Sequence, residues 1–167
     1  FRSAMVAAKM GLGVILGGPV ATQEAAARVY REHALADAPP IISSLNIAVA
    51  DTSAAARDLL LPEAYAKVLA QSNGEFAALR PAGELDMDAL TGQQRRRIEE
   101  ALAHDVWGTV EEVGEELRDV GKRLGVSEFV VTGDMPDVAG RARSEELLAS
   151  MRVKGQKVCP ESRIFTD

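Results

Sequence analysis

The side chains best suited to chemistry are two histidines, His33 and His104, one cysteine, Cys159, and a large set of carboxylates. A histidine works as base or nucleophile partner only beside a group that takes its proton or fixes its tautomer. Neither His33 nor His104 has such a partner nearby in sequence, so each reads as a solvent-facing or capping histidine. A lone cysteine permits neither an internal disulfide nor a cysteine-based metal site, and no metal is expected. Glu111, Glu112, Glu115 and Glu116 fall on the polar side of an amphipathic repeat. Gly11, Gly13 and Gly17 straddle an apolar run instead of following it, the wrong arrangement for a dinucleotide fingerprint, and no phosphate-binding P-loop is present. Residue chemistry alone names no catalytic residue.

The chain of 167 residues fits one domain with a sizeable core, and its 47% hydrophobic and 26% charged residues are those of a globular protein. A net charge of -6 argues against a nucleic-acid surface, which needs clustered cations. The basic run Arg95-Arg96-Arg97 is followed by Glu99 and Glu100 and reads as a solvated helix face. No apolar run approaches the ~20 residues of a membrane span, and no signal peptide is visible. A cytoplasmic protein without membrane or nucleic-acid partners is expected.

The elements that must position any site alternate. A helix over residues 3–9 is followed by a short buried strand at 12–16, closed by Gly17-Gly18-Pro19. Thr22 is a fair N-cap for a helix to about residue 36. Pro39-Pro40 then forces an extended entry into a second strand, 41–50. Asp51-Thr52-Ser53 can cap a third helix, which Pro62 should break or restart before it continues to residue 71. Residues 72–90 are irregular. Two capping boxes, Thr91 with Gln94 and Thr109 with Glu112, open further helices. The second carries Val110, Val113, Leu117, Val120 and Leu124 on one face and ends at Gly125. Residues 128–132 form the third strand, and Asp137 can cap a last helix to residue 151. Asp137 and Arg141 have the spacing of a helix-surface ion pair. The tail, 152–167, shows no periodicity and should pack loosely. Such alternation argues for an α/β fold of parallel strands with right-handed crossovers, although three strands are few for a stand-alone sheet.

Four stretches, in order, resemble the C-terminal half of the bacterial luciferase-like, flavin-dependent monooxygenases. They are Ser3-Ala-Met-Val-Ala-Ala-Lys-Met-Gly-Leu-Gly13; Ala48-Val-Ala-Asp-Thr52 with Ala55, Ala56 and Arg57; Trp107-Gly-Thr-Val-Glu-Glu-Val113; and Ser127-Glu-Phe-Val-Val-Thr132 with Asp137, Arg141, Arg143, Ser144 and Leu147-Leu-Ala149. Val110 stands where that family usually has proline. The resemblance implies that residues 1–151 are the C-terminal portion of a (β/α)8 barrel of roughly twice this length, contributing about three of its last parallel strands with flanking helices. Phe1 would then not be a natural beginning. The missing N-terminal half, or a second copy, would cover the open edge, and a homodimer of the full-length protein is expected.

The resemblance further implies an FMN-dependent monooxygenase acting with O2 on a small organic substrate such as an aldehyde, ketone or sulfonate, with reduced flavin supplied by a partner reductase. The deazaflavin F420 is the alternative cofactor. A flavin-binding protein without turnover and a half-barrel assembly subunit are the alternative functions. In this family the flavin phosphate is held at the start of the first helix, which places it at Ser3, with the backbone N–H groups of Ala4 and Met5 and the charge of Arg2 assisting. A plain N-cap is the other role open to Ser3. Trp107 reads as a core or interface anchor. Gly17, Gly18 and Pro19 either border a substrate pocket or make a simple tight turn, and residues 72–90 either cover the mouth of the site or form a surface excursion. The catalytic residues would lie upstream of residue 1.

Overall fold

The structure is a computed structural model that describes residues 1–151; the expected tail, with Cys159, lies outside the described residues. In chain order the elements are α1 (Arg2–Lys9), β1 (Val14–Leu16), α2 (Val20–His33), β2 (Ile41–Val49), α3 (Ser53–Asn73), a short 3-10 turn (Ala82–Glu84), α4 (Gly92–Leu102), β3 (Val106–Gly108), α5 (Val110–Leu124), β4 (Phe129–Thr132) and α6 (Val138–Ser150).

Local signals in the sequence explain most of these boundaries. The Thr52 hydroxyl accepts from the Ala55 N–H and starts α3. Both capping boxes close in full, Thr91 with Gln94 and Thr109 with Glu112. Gly125 ends α5 in the left-handed conformation that glycine adopts without strain.

All strand pairs are parallel, and β2 is the strand every other one pairs with. Its start pairs with β1 (Val14 beside Ile41), its middle with β4 (Ser43 beside Phe129) and its end with β3 (Ile47 beside Val106). Along β2 the odd-numbered residues Ile41, Ser43, Leu45 and Ile47 are buried, while Ile42, Ser44 and Asn46 are half-buried. The buried side meets the helices: Ile41 packs with Ala4, Ala8, Ala27 and Tyr30, and Leu45 and Ile47 pack with Val113, Val120 and Leu124 of α5. A third cluster joins α3 to α4 through Leu60, Tyr65, Ile98 and Leu102.

The structure corrects the sequence reading at four points. First, there is an unexpected fourth strand, β3, whose three residues are too few to show a period and are wedged between two helices. Second, Pro62 neither breaks nor restarts α3, which runs unbroken through it. Pro62 is itself buried, as are Leu59, Leu60, Leu61, Ala64, Tyr65 and Ala66 around it, so tertiary packing outweighs the missing N–H. Third, α2 starts at Val20, not at Thr22, because Pro19 takes the capping position and its carbonyl receives the Thr22 N–H at 2.9 Å. Fourth, Asp137 does not pair with Arg141: its carboxylate caps the Gly140 N–H at 2.9 Å, leaving Arg141 to Glu145 at 3.8 Å. The apolar face of α5 and the parallel sense of the expected strands are as read.

Candidate functional site at the strand ends

Past the ends of β1 and β4, alongside the middle of β2 and just before β3, a cavity of about 180 Å3 opens, lined by Gly17, Gly18, Pro19, Ser44, Leu45, Asn46, His104, Asp105 and Thr132. The C-terminal ends of parallel strands are where barrels place their chemistry, because the loops there are free to vary while the strands hold position. The turn after β1 needs glycine: Gly18 has φ +84°, and a Cβ on Gly17 or Gly18 would meet no atom within 4 Å, only the open space. Gln23 ties this turn to the sheet. Fully buried, it donates from Nε2 to the carbonyls of Gly18 (2.8 Å) and Ser44 (3.1 Å) and accepts from the Ser43 hydroxyl at 2.7 Å.

The far wall is polar. The Thr132 hydroxyl donates to Asn46 Oδ1 at 2.9 Å, so the Asn46 amide hydrogens point away, toward two carboxylates. One is Glu63 of α3, at a long 3.5 Å. The other is Asp105, which also receives a hydrogen bond from the Asn46 side chain. Glu63 is paired with Lys67, one helical turn on, and accepts from the Asp134 N–H at 3.3 Å. Asp105 has no ion pair among the described residues. Burial pushes its carboxyl up from the ordinary 3.8 to about 6; the Glu63 charge adds to the rise, and the Asn46 hydrogen bond, Lys67 and His104 oppose it. Such a group is half-protonated near pH 6 and can both give and take a proton.

Of the residues singled out in the sequence, Gly17, Gly18 and Pro19 do border a pocket, joined there by His104, which is exposed as read but lines the cavity. His33 stays outside it, its ring Nδ1 2.9 Å from the Val29 carbonyl oxygen. Trp107 is a core anchor, half-buried against α3 and α4 and donating to the Leu102 carbonyl at 3.0 Å. Residues 72–90 supply no lining residue; Leu85 and Met87 lie over the α3–α4 cluster. Asp105, Asn46, Glu63 and Thr132 were not foreseen. The one signal was the polar run Ser43-Ser44 with Asn46 in an otherwise apolar strand.

At the start of α1, Phe1 holds the capping position without a side-chain cap. Arg2 and Ser3 are exposed, Ala4 is buried, and the Met5 N–H already donates to the Phe1 carbonyl at 3.3 Å. Ser3 lies inside the helix, so the N-cap is Phe1. Through the turn at Gly11 the chain doubles back into β1, and Ala4 and Leu16 share one core cluster. The start of α1 therefore lies at the same end of the sheet as Gly17 and Gly18. Among the described residues no group of three or more His, Cys, Asp or Glu could hold a metal ion, and no helix is long and apolar enough to cross a membrane.

Four parallel strands joined by helices, with a polar cavity past the ends of β1 and β4, define part of a (β/α)8 barrel. Solved structures share this fold with the chain. The apo form of MsnO8 superposes with a TM-score of 0.71 at 23% identity, covering 90% of this chain and 47% of that one. The oxygenating constituent of 3,6-diketocamphane monooxygenase from the CAM plasmid of Pseudomonas putida, a type II Baeyer-Villiger monooxygenase in complex with FMN, gives 0.60 at 17% identity, covering 89% and 44%. The long-chain alkane monooxygenase LadA gives 0.54 at 16% identity, covering 93% and 41%. The chain thus spans a little under half the length of these structures. No family profile matches the sequence, and no curated protein matches it either.

Proposed function

We propose that the chain is the C-terminal part of an FMN-dependent monooxygenase that uses O2 to oxidise a small organic substrate in the cytoplasm. The observation that carries this reading is the fold: about nine-tenths of the chain superposes on a barrel that is solved with FMN bound. Bound reduced FMN, supplied by a partner reductase, would provide the electrons and the O2 activation.

The residues at the start of α1 fit the phosphate of such a cofactor. The Ser3 hydroxyl and the Arg2 guanidinium are exposed beside an uncapped helix start. The N–H groups of the first turn have no partner inside the helix, and the dipole there favours an anion. Because the Met5 N–H is engaged, the backbone donors are those of Arg2, Ser3 and Ala4. The Gly17-Gly18 turn and the wall formed by Ser44, Asn46, Thr132 and Asp105 would hold and orient the substrate. The rest of the barrel, or a second copy, would close the cavity against water.

FMN titration of the complete barrel tests this. Ser3→Asp sets a carboxylate against a phosphate dianion and should weaken binding by on the order of 2 kcal/mol or more, whereas Ser3→Ala should cost about 1 kcal/mol. FMN bound by Ser3→Asp as tightly as by the parent protein would place the phosphate elsewhere.

A further inference from the structure

We propose that Asp105 is an acid–base residue of the cavity, exchanging its carboxyl proton with a ligand oxygen seated between the Gly17-Gly18 turn and Thr132. The inference deepens the monooxygenase reading and rests on it for the source of that oxygen, a substrate carbonyl or hydroxyl. The proton site itself stands on the geometry of the chain.

Two carboxylates meet the Asn46 amide, and their surroundings separate their roles. Glu63 is compensated: Lys67 pairs with it and the Asp134 N–H donates to it. Asp105 lines the cavity with no cation of its own and with the Glu63 charge close by. Burial beside the cavity, with the Glu63 charge adding to it, favours the protonated form of Asp105. His104, beside it in sequence, is the other titratable group on the lining. It is exposed, and no hydrogen bond fixes its ring among the described residues, so it is poorly placed to orient a ligand.

Asn46 is the positioning residue. With its Oδ1 occupied by the Thr132 hydroxyl, its amide can only donate toward the carboxylates. A donor there stabilises the Asp105 carboxylate after the proton leaves, and it fixes which oxygen faces the cavity. In the forward step the Asp105 O–H bond breaks and an O–H bond forms on the ligand, leaving a carboxylate beside Asn46. The reverse step restores the acid, and nothing is oxidised or reduced.

The test uses the complete barrel with 13C-carboxyl-labelled aspartate, the Asp105 resonance being assigned by its loss in Asp105→Asn, and cyclohexanone as a neutral carbonyl probe. The resonance should titrate with a midpoint near 6. Saturating cyclohexanone should raise that midpoint by roughly one unit, which corresponds to a tenfold preference of the ketone for the protonated carboxyl. Glu63→Gln should lower the midpoint of the free protein, because a like charge is removed. A midpoint that cyclohexanone leaves unmoved overturns the proposal, whether the ketone binds elsewhere or not at all. So does a Glu63→Gln midpoint equal to the parent's. FMN binding is titrated on the same samples: loss of FMN binding with the ketone-linked shift intact overturns the flavin reading alone, and the converse overturns the proton site alone.

Discussion

Gln23 of α2 and Ser43 of β2 are both fully buried and bonded to each other, the serine hydroxyl donating to the glutamine Oε1 at 2.7 Å. The glutamine amide spends its two hydrogens on the carbonyls of Gly18 and Ser44, so one side chain joins helix, strand and the cavity-lining turn. Gln23→Leu keeps the volume but strands a buried hydroxyl and two carbonyls. We expect a loss of about 2–4 kcal/mol in urea unfolding. Adding Ser43→Ala should recover part of it, since the stranded hydroxyl is then gone. A Gln23→Leu protein as stable as the parent would show that the network contributes nothing.

The Asp105 carboxyl makes stability depend on pH. Its folded midpoint, about 6, lies above the ordinary 3.8, so the fold favours the protonated form. The associated stability is fully present below about pH 3.8 and is lost as pH rises through about 6. Asp105→Asn stays neutral throughout. It should be more stable than the parent above pH 6 by roughly 1–2 kcal/mol, allowing for solvent screening at a partly exposed group, with the difference vanishing toward pH 4. Melting curves at pH 4, 6 and 8 measure it. A difference independent of pH would assign the effect to packing.

Gly133, just past β4, has φ +121°, and a Cβ there would lie 2.9 Å from Leu60 Cδ2 and 3.6 Å from Asn46 Cβ. Gly133→Ala should therefore cost about 1–3 kcal/mol through backbone strain and overpacking. Gly17→Ala, whose Cβ would meet no atom within 4 Å, is the control and should change stability far less. Equal melting temperatures for the two variants would contradict this.

Phe1, Val6, Met10, Leu12 and Ile15 leave an apolar surface on α1 and β1, with Ile15 60% exposed on a strand that pairs only with β2 among the described residues. Unpaired strand edges recruit other strands. Light scattering of the 17.8 kDa chain should report a species heavier than one copy, and Ile15→Asp should shift it toward the single-copy mass. A monodisperse single copy with a cooperative melt would refute the expectation.

Much of the fold was legible because local chemistry and tertiary packing agree there. The capping boxes at Thr91 and Thr109, the glycine stop at Gly125 and the single apolar face of α5 all act within a few residues of themselves. Pro62 and β3 were not legible, because each is decided from afar: the proline by the core that encloses α3, the strand by the end of β2. The cavity lies between these cases. Gly17-Gly18-Pro19 announces a turn at a strand end, but Asp105 acquires its character only when the fold buries it, with Asn46 and Glu63 close by. No spacing along the chain records that meeting.

The central place of β2 bears on how the molecule assembles in time. Its bonds to β1 form across a short stretch of chain, but its junction with β4, marked by Asn46 and Thr132, closes a loop of 86 residues. Loop closure of that span is an entropic toll levied before the sheet gains its partner, and mean contact separation of this kind slows folding. The amides of β2, flanked by three strands, should then be the last to exchange with deuterium, while α1 and β1, held at one end only, open first. The cavity is finished only when the last strand arrives, so an immature chain has the helices but no wall opposite Gly18.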